Sequence, residues 1–360
     1  MLYKQIICLL SFLACLQVAL FAQIDFSTEN HVSHPLLDSM HTAIQAGNYE
    51  RITSVVVEQN GKVVYEQYYN GNDSTSQHNT RSCTKSMATL LTGIAIEKGY
   101  IKSEKDRILS YLKPRKKIQN PDPRKDAITI EDLLTMSSCL ECDDNNSVSR
   151  GNEERMYIIE DWTQFLLDLP IYSYPWGPKP HETKYGRVPR YCTAGAACMA
   201  DVVQSAAGIR SDSLLIQHLL RPLGIKDYTL HYSPLKVLNT AGGSEYRSRD
   251  FLKIISMCRN GGKWNGKQIL ASSWLEKATK AYGNPYADLE YGYLLWLNRY
   301  GEEGKKLSTY YMSGNGGNKV MAIPEANMSV VITTQNYNNR NAHSYTDELL
   351  NKYIVPALKP

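Results

Sequence analysis

The sequence carries no strong excess of charge of either sign, which argues against a nucleic-acid partner. Its 40 Lys and Arg residues nearly balance its 36 Asp and Glu residues, so the formal net charge is +4. One dense basic run at residues 113–117 contains Pro114 and is typical of a solvated surface. Because charges of both signs are spread along the chain, we expect no nucleic-acid partner.

Long apolar runs are also missing, apart from one at the start of the chain. Residues 6–21 are almost wholly apolar, but about 16 residues fall short of the roughly 20 that a helix needs to cross a bilayer. Lys4 precedes this run and the small residue Ala22 ends it, as in a cleavable signal peptide. We therefore predict a signal peptide over residues 1–22 and a secreted or periplasmic protein. An uncleaved anchor or a lipid anchor at Cys15 would instead hold the protein at a membrane.

The cysteines lack the spacing of a metal site but allow a disulfide. Of the eight cysteines, two lie in the predicted leader and six remain. No second cysteine pair or nearby histidine stands at the spacing of zinc ligands, so we expect no metal and no organic cofactor. Cys139 and Cys142 are close enough in sequence to form a bridge in an oxidising compartment.

Three common catalytic motifs are absent. The sequence has no Gly-x-Ser-x-Gly elbow, no His-Glu-x-x-His zinc helix and no glycine-rich phosphate loop before a helix. These absences argue against the hydrolase and nucleotide-binding classes that depend on those motifs.

What the sequence does contain is a strand-like pattern at both ends and a helical pattern between them. Two β-rich runs, residues 52–57 and 62–68, meet at Asn60-Gly61, which favours a tight hairpin. A helix is predicted over 82–98, more helices follow to about 280, strand runs lie within 291–334, and 342–350 forms a closing helix. We predict an α+β fold, with an antiparallel sheet flanked by helices. Residues 23–81 and 282–360 form the sheet region, and residues 82–281 are an inserted, mainly helical region with the site in the cleft between them.

A serine followed three residues later by lysine is the pattern that points to chemistry. It occurs at Ser82/Lys85, Ser110/Lys113 and Ser233/Lys236. Prolines disrupt the second and third cases, whereas Ser82 opens a long amphipathic helix. Positions i and i+3 share one helix face, so the amine can reach the hydroxyl and remove its proton. Burial would lower the pKa of this lysine and leave part of it neutral, as a base must be.

Tyr191 and a glycine-rich segment are two further candidate elements. Tyr191 precedes another apolar helix, where its phenol could relay a proton. Residues 313–318 read Ser-Gly-Asn-Gly-Gly-Asn before a strand, and such glycines allow the backbone to approach a substrate. Taken singly, these features indicate a buried aromatic side chain and a turn. Their order along the chain favours a site.

These residues resemble a known family. Residues 81–86 resemble the active-site helix start of the class C β-lactamases, the penicillin-binding proteins and related esterases. Residues 133–138, the pair Gly242-Gly243, residues 248–250 and the strand-rich end from 314 to 336 resemble other parts of the same family. The resemblance covers nearly all of the chain after the leader, in the family's order.

The resemblance implies a role for each matching residue. Ser82 would be the nucleophile, Lys85 its general base, and Tyr191 would assist proton transfer to the leaving group. The oxyanion amides would come from Ser82 and Asn318. The implied oxyanion and substrate-binding residues together are Ser82, Thr193, Asn315, Gly316, Gly317 and Asn318.

Three departures from the family pattern refine this expectation. Thr193 replaces an Asn, and Asn315 replaces a Lys or His that binds a substrate carboxylate. A charge-assisted contact is worth about 1.5–3 kcal/mol, or roughly one to two decades in rate, so efficient penicillin hydrolysis is not expected. We expect a neutral ester, amide or short peptide as substrate, as for esterases, D-amino-acid peptidases and aminohexanoate-oligomer hydrolases. Cys139 and Cys142 replace Gly and Trp, which suggests a local bridge.

The segment 175–189 adds an expectation about the acyl pocket. It contains four prolines, including both ends, and is expected to form an irregular loop beside the site. From the aromatic density around this segment we predict that Tyr172, Tyr174 and Trp176 line the acyl pocket.

Two alternative functions stay open at the level of sequence. The departures from the family pattern at Thr193 and Asn315 would also suit a binding protein that keeps the fold and has lost turnover. A cysteine hydrolase could pair Cys83 with His78, although Cys83 lies about 100° around the helix from Ser82, so both cannot face one pocket.

Overall fold

The computed structural model describes residues 24–172, 179–286 and 289–358 and is built around an antiparallel sheet. The strands are β1 (Ile52–Gln59), β2 (Lys62–Tyr68), β3 (Gln77–Asn79), β4 (Tyr228–Thr229), β5 (Glu245–Arg247), β6 (Lys263–Trp264), β7 (Lys267–Gln268), β8 (Gly283–Tyr286), β9 (Leu289–Tyr291), β10 (Trp296–Tyr300), β11 (Leu307–Gly314), β12 (Asn318–Ile323) and β13 (Met328–Thr334). The main sheet has eight strands in the order β2-β1-β13-β12-β11-β10-β9-β8. Strands β3, β5 and β4 form a small second sheet, and β6 pairs with β7.

The helices lie mostly between β3 and β8 and at the two ends. They are α1 (Pro35–Gln45), α2 (Lys85–Glu97), α3 (Ile130–Leu134), α4 (Glu153–Tyr157), α5 (Trp162–Asp168), α6 (Thr193–Ala207), α7 (Ser211–Leu215), α8 (Ser248–Arg259), α9 (Ser272–Ala278), α10 (Ala342–Glu348) and α11 (Val355–Leu358). A π-helical turn, Leu349–Ile354, joins α10 to α11. Among the described helices, none is both long enough and apolar enough to span a membrane.

Strands from the two ends of the chain lie side by side in the main sheet. Strand β1 pairs antiparallel with β2 on one side and with β13 on the other, with Val56 opposite Val331. All seven residues of β13 are buried, as in a sheet covered on both faces. The predicted α+β fold, with one antiparallel sheet flanked by helices, is confirmed.

The predicted hairpin at Asn60-Gly61 is present between β1 and β2. Asn60 and Gly61 have φ angles of 54° and 82°, the left-handed conformations that a two-residue hairpin turn of this kind requires. Gln59 then faces Lys62 across the turn, which sets the register of the first strand pair.

Helices cover the sheet on its faces and build the inserted region. Helix α8 contacts β1, β12 and β13, whereas α1 packs with the C-terminal π-helical turn. Helices α2, α5 and α3 pack against α6 in the inserted region. Helix α2 therefore lies between the helical region and the sheet, where it can present residues to the cleft between them.

Helix α2 is more deeply buried than its sequence pattern predicts. The spacing of its apolar residues predicts one buried face, but every residue from Lys85 to Ala95 is buried. Its polar residues are satisfied inside the protein, since the Thr89 hydroxyl donates to the Tyr293 carbonyl and the Thr92 hydroxyl to the Ala88 carbonyl. Because the residues outside its apolar face are small or carry hydroxyl groups that find partners, this helix can be buried on all sides.

The predicted strand over residues 291–298 is divided in the structure. Strand β9 ends at Tyr291 and β10 begins at Trp296. Between them Leu294 adopts a left-handed φ of 49°, and the Gly292 N–H donates to the Leu295 carbonyl in a tight turn. The apolar residues of this turn pack into the core, so composition alone does not reveal the break.

Candidate active site

Ser82 lies in a tight turn between the small sheet and helix α2. The 3₁₀ turn Arg81–Thr84 precedes the regular helix, which begins at Lys85 rather than at the predicted Ser82. Arg81 has a left-handed φ of 55°, uncommon for a residue with a side chain, and it redirects the chain at this point. The turn places Ser82 where two adjoining cavities meet.

Lys85 reaches Ser82 as the i, i+3 spacing predicts. Its Nζ lies 3.0 Å from Ser82 Oγ and 2.8 Å from the Ala241 carbonyl oxygen. The lysine is only 2% exposed, so this amine is held in a fixed position away from bulk water.

The electrostatic environment of Lys85 favours its neutral form. Burial lowers the pKa of Lys85 below its ordinary value, because a charged amine loses hydration inside the protein. The nearby carboxylates of Glu153 and Asp144 act in the opposite direction and raise that pKa. The balance still leaves the Lys85 pKa lowered, as a general base requires.

Tyr191 joins this pair from the residues before helix α6. Its hydroxyl interacts with the Ser82 side chain, and Lys85 Nζ lies 5.0 Å from the centre of its ring. Burial raises the pKa of the Tyr191 phenol, so the group keeps its proton and can donate it. The ring stacks on Trp296 of β10 at a centroid distance of 5.9 Å. The structure therefore brings Ser82, Lys85 and Tyr191 together.

The end of strand β11 forms the wall opposite Ser82. At Gly314 the two segments touch, because a Cβ there would lie 1.8 Å from the Thr80 carbonyl oxygen and 3.2 Å from the Ser82 nitrogen. The backbone N–H groups of Ser82 and of Asn315 donate no hydrogen bond within the described part of the chain. These two amides are therefore available to an oxyanion in the cleft.

This geometry corrects the residues expected in the glycine-rich segment. Asn318 is fully buried in β12, and its carbonyl faces the Cys83 thiol at 3.8 Å, behind the site. Gly316 and Gly317 approach Asn336 and Ala342 instead and do not line the cavities described around Ser82. The chain turns three residues earlier than the expected match assumed, so Ser313, Gly314 and Asn315 face the cleft.

Thr193 also differs from its expected role. It is fully buried, its hydroxyl donates to Glu153 Oε2 at 3.0 Å, and its backbone N–H donates to Asp144 Oδ2 at 2.7 Å. The hydroxyl is thus occupied by a protein carboxylate rather than open to a substrate. Thr193 holds two acidic residues in place beside Lys85.

Asp144 and Glu153 are site residues that sequence reasoning missed. Both line the cleft with Ser82, and burial raises the pKa of Asp144 to about 6. Asp144 also accepts from the Glu153 N–H at the start of helix α4. No short motif marks either residue, because each reaches the site through a loop or a short helix that packs on α6.

The cysteines differ from the predicted pairing. Cys142 is bonded to Cys192, with a sequence separation of 50, so the expected Cys139–Cys142 bridge is wrong. Cys139 is exposed and free, with a φ of 62° at a position where the family resemblance expects glycine. The observed bridge joins the loop before Asp144 to the residue after Tyr191 and so ties two parts of the site together.

The proposed Cys83 and His78 pair is not assembled. Burial raises the pKa of the Cys83 thiol to about 12, and its sulfur points towards the Asn318 carbonyl. His78 Nδ1 lies 3.3 Å from the Thr53 hydroxyl instead. This geometry excludes a cysteine nucleophile at position 83.

Two cavities of different character adjoin Ser82. The aromatic cavity, about 400 Å³, is walled by the side chains of Tyr191, Tyr286, Trp296, Tyr300 and Tyr311. The polar cavity, about 500 Å³, is lined by Arg81, Glu154, His231, Asn239 and Asn338. In residues 24–172, 179–286 and 289–358, no three His, Cys, Asp or Glu side chains are grouped to hold a metal ion.

The aromatic wall does not come from the segment that the sequence indicated. Tyr172 packs under the guanidinium of Arg190, 3.3 Å from its ring centre, and lines neither cavity. Tyr174 and Trp176 lie outside the described residues. Alternate residues of β10 and β11 supply most of the wall, since side chains on one face of a sheet recur every second residue.

Comparisons with known proteins agree with this architecture. A family model described as Beta-lactamase matches residues 44–352. A search of curated protein sequences finds no match.

Three solved structures illustrate the likeness in fold. A candidate beta-lactamase from Bacteroides dorei DSM 17855 is 15% identical, covers 90% of this chain and 98% of its own, and has a TM-score of 0.69. A candidate 6-aminohexanoate-dimer hydrolase from Bacillus anthracis is 18% identical, with 91% and 84% covered and a TM-score of 0.67. A D-stereospecific amidohydrolase from Streptomyces sp. is 13% identical, with 87% and 98% covered and a TM-score of 0.64. At these identities the likeness shows the fold.

Proposed function

This chain belongs to the beta-lactamase family, and we propose that it is a serine hydrolase that cleaves an ester or amide bond through an acyl-enzyme on Ser82. The observation that carries the proposal is the 3.0 Å separation between Lys85 Nζ and Ser82 Oγ in a buried cleft. A lysine with a lowered pKa at this distance can take the serine proton as the hydroxyl attacks a carbonyl.

Each neighbouring group has a place in this reaction. Ser82 Oγ forms the bond to the carbonyl carbon, its proton passes to neutral Lys85, and the amides of Ser82 and Asn315 stabilise the oxyanion. As the bond between the carbonyl carbon and the leaving oxygen or nitrogen breaks, Tyr191 gives that atom a proton, and the Lys85 ammonium replaces the proton on Tyr191. A water molecule then loses a proton to the same groups and attacks the acyl carbon. The bond to Ser82 Oγ breaks, Oγ takes the proton back, and the acid leaves.

The site favours esterase or peptidase activity over efficient β-lactam hydrolysis. With the facing amide at Asn315 instead of Asn318, the position of the family's Lys or His moves by the same three residues, from Asn315 to Met312, a buried apolar side chain. No cation therefore stands at this position to hold the carboxylate of a penicillin. We propose small esters, amides or short peptides as substrates.

Export is part of the proposal. The predicted signal peptide would send the chain to an oxidising compartment, where disulfides form and persist. The Cys142–Cys192 bridge supports this location. Mass spectrometry of the protein from an oxidising expression host should find the mature start after residue 22.

The function is tested by labelling and turnover with matched variants. A fluorophosphonate should form a covalent adduct on the peptide that contains Ser82. Turnover is measured on a panel of substrates that contains p-nitrophenyl esters, D-alanyl peptides and a chromogenic cephalosporin. We expect ester turnover to exceed cephalosporin turnover. Ser82→Ala should abolish both labelling and turnover, and Lys85→Ala should lower kcat by several decades.

Two controls make the outcome decisive. Cys83→Ser changes a buried thiol beside the nucleophile and should keep ester turnover. If no adduct forms on Ser82 while esters or peptides still bind, the chain would be a binding protein that keeps this fold without turnover. Ester turnover that survives Ser82→Ala at the parent rate would refute the mechanism.

A further inference from the structure

A buried cation, Lys319, lines the aromatic cavity, although the family resemblance assigned it no role. Lys319 of β12 is only 2% exposed, yet it lines the same cavity as Ser82 and Tyr191. The register explains its position, since Lys319 is the cross-strand partner of Ser313 and such partners project to the same face. Lys319 thus supplies, from the neighbouring strand, a positive charge that neither Met312 nor Asn315 carries.

The hydrogen bonds of Lys319 leave part of its capacity open. Its Nζ contacts Thr346 Oγ1 at 2.7 Å and Asp347 Oδ1 at 3.0 Å. An ammonium has three N–H donors, so one is without a partner within the described residues. The Ser313 hydroxyl beside it also makes no hydrogen bond within the described part of the chain.

The place of Tyr191 indicates which part of a substrate enters this cavity. Tyr191 lines the aromatic cavity and not the polar one. In the proposed reaction it protonates the leaving group, so the leaving group extends into the aromatic cavity. The wall there includes the stacked rings of Tyr286 and Trp296, 5.7 Å apart and nearly parallel, which suit an aryl group.

Resting on the proposed function, we propose that Lys319 and Ser313 bind a carboxylate on the leaving group, and that the preferred substrates are esters or amides of an acidic, aryl-bearing alcohol or amine. This changes the expectation of a neutral substrate that followed from Asn315 alone. A charge-assisted hydrogen bond to a buried lysine is worth roughly tenfold to a hundredfold in kcat/KM.

An anion fits this end of the cavity better than a cation does. Asp347 Oδ1 already accepts from both Lys319 and the Tyr300 hydroxyl, the latter at 2.7 Å. The Asp347 side chain is 39% exposed, so water competes for its remaining oxygen, whereas Lys319 is enclosed. An entering carboxylate gains a partner that lines the cavity and is only slightly exposed to solvent.

The test uses three acetate esters of phenols with similar leaving-group acidity. The phenols are 4-hydroxyphenylacetate, its methyl ester, and the analogue in which a trimethylammonium group replaces the carboxylate. For the parent protein we expect kcat/KM to be about tenfold to a hundredfold higher for the anionic ester than for the methyl ester. Lys319→Gln should remove this preference, measured as the ratio of kcat/KM for the anionic ester to that for the methyl ester, and Ser313→Ala should reduce the same ratio.

A second charge variant, at Asp347, should not remove the preference for the anionic ester. Asp347→Asn removes the counter-charge of Lys319, so the anionic preference should be kept or increased. Thermal melting identifies a variant that fails to fold. If Lys319→Gln fails to fold, Ser313→Ala still tests the carboxylate site. Equal rates for the three esters in the parent, or a preference for the trimethylammonium ester, would overturn the carboxylate site and leave the serine hydrolase standing. Absence of turnover and of any Ser82 adduct would overturn the hydrolase and the site together.

Discussion

Lys85 is the residue whose protonation decides the proposed chemistry. Burial lowers its pKa, whereas the charges of Glu153 and Asp144 raise it. Only the neutral amine can act as a base, so activity should rise with pH through this lowered pKa. The midpoint of the rising limb in the pH profile of activity should therefore lie at a lower pH than the pKa of an ordinary lysine side chain.

Changing a carboxylate beside Lys85 should shift the pH dependence of activity in a known direction. Glu153→Gln removes a charge that raises the Lys85 pKa, so the rising limb of kcat/KM should move to lower pH. Glu154→Gln makes the same chemical change one residue further along, at a carboxylate that does not perturb Lys85, and should leave the midpoint in place. A move to higher pH in the Glu153 variant would contradict the assignment.

Gly314 is the second position at which a single residue controls the site. A methyl group there would collide with the Thr80 carbonyl oxygen and press on the Ser82 nitrogen. Gly314→Ala should lower kcat/KM for esters by about a hundredfold or more, since misplacement of the nucleophile by 1 Å has that effect. Gly195→Ala, whose Cβ would meet nothing closer than 3.4 Å, is the control and should keep activity.

At the scale of elements, the Cys142–Cys192 bridge holds the loop that carries Asp144 against the segment that carries Tyr191. A bridge over a loop of this length stabilises a protein by about 2–4 kcal/mol. The double change Cys142→Ser with Cys192→Ser should lower the free energy of unfolding by that amount in urea denaturation. Cys139→Ser should have little effect, because Cys139 is free and exposed. Equal losses in the two variants would show that the bridge does not act as described.

At the scale of the whole molecule, a buried ion pair connects the sheet to its covering helix. Arg259 of α8 lies 2.8 Å from Glu58 of β1, and both side chains are nearly inaccessible to solvent. Removing one partner leaves an uncompensated buried charge, so Glu58→Gln should lower the free energy of unfolding by about 3–5 kcal/mol. Glu303→Gln breaks an ion pair whose carboxylate is 92% exposed and should change stability by less than about 1 kcal/mol.

The main sheet also makes the active site depend on segments that are far apart in the sequence. Strand β1 pairs with β13, so the first and last thirds of the sequence must associate before the sheet is closed. Ser82 follows β3, whereas its facing amide comes from the end of β11. The cleft therefore forms only when the inserted helices and the C-terminal strands have both packed.

The sequence by itself determined the features that depend on neighbours along the chain. The Asn60-Gly61 hairpin follows from two adjacent φ preferences, and the approach of Lys85 to Ser82 follows from one helical turn. The position of Tyr191 beside them followed from the resemblance to a family. Local geometry limits these choices strongly, so a pattern of a few residues is sufficient to predict them.

Only the tertiary structure decided which distant residues share the cleft. The acidic pair Asp144 and Glu153, the bridge from Cys142 to Cys192, and the cation of Lys319 each depend on how loops and strands pack over long sequence separations. A shift of the turn after β11 by three residues was enough to move the facing amide from Asn318 to Asn315. Such contacts are set by the packing of the whole chain, since no periodicity in a short segment specifies which remote backbone it will meet.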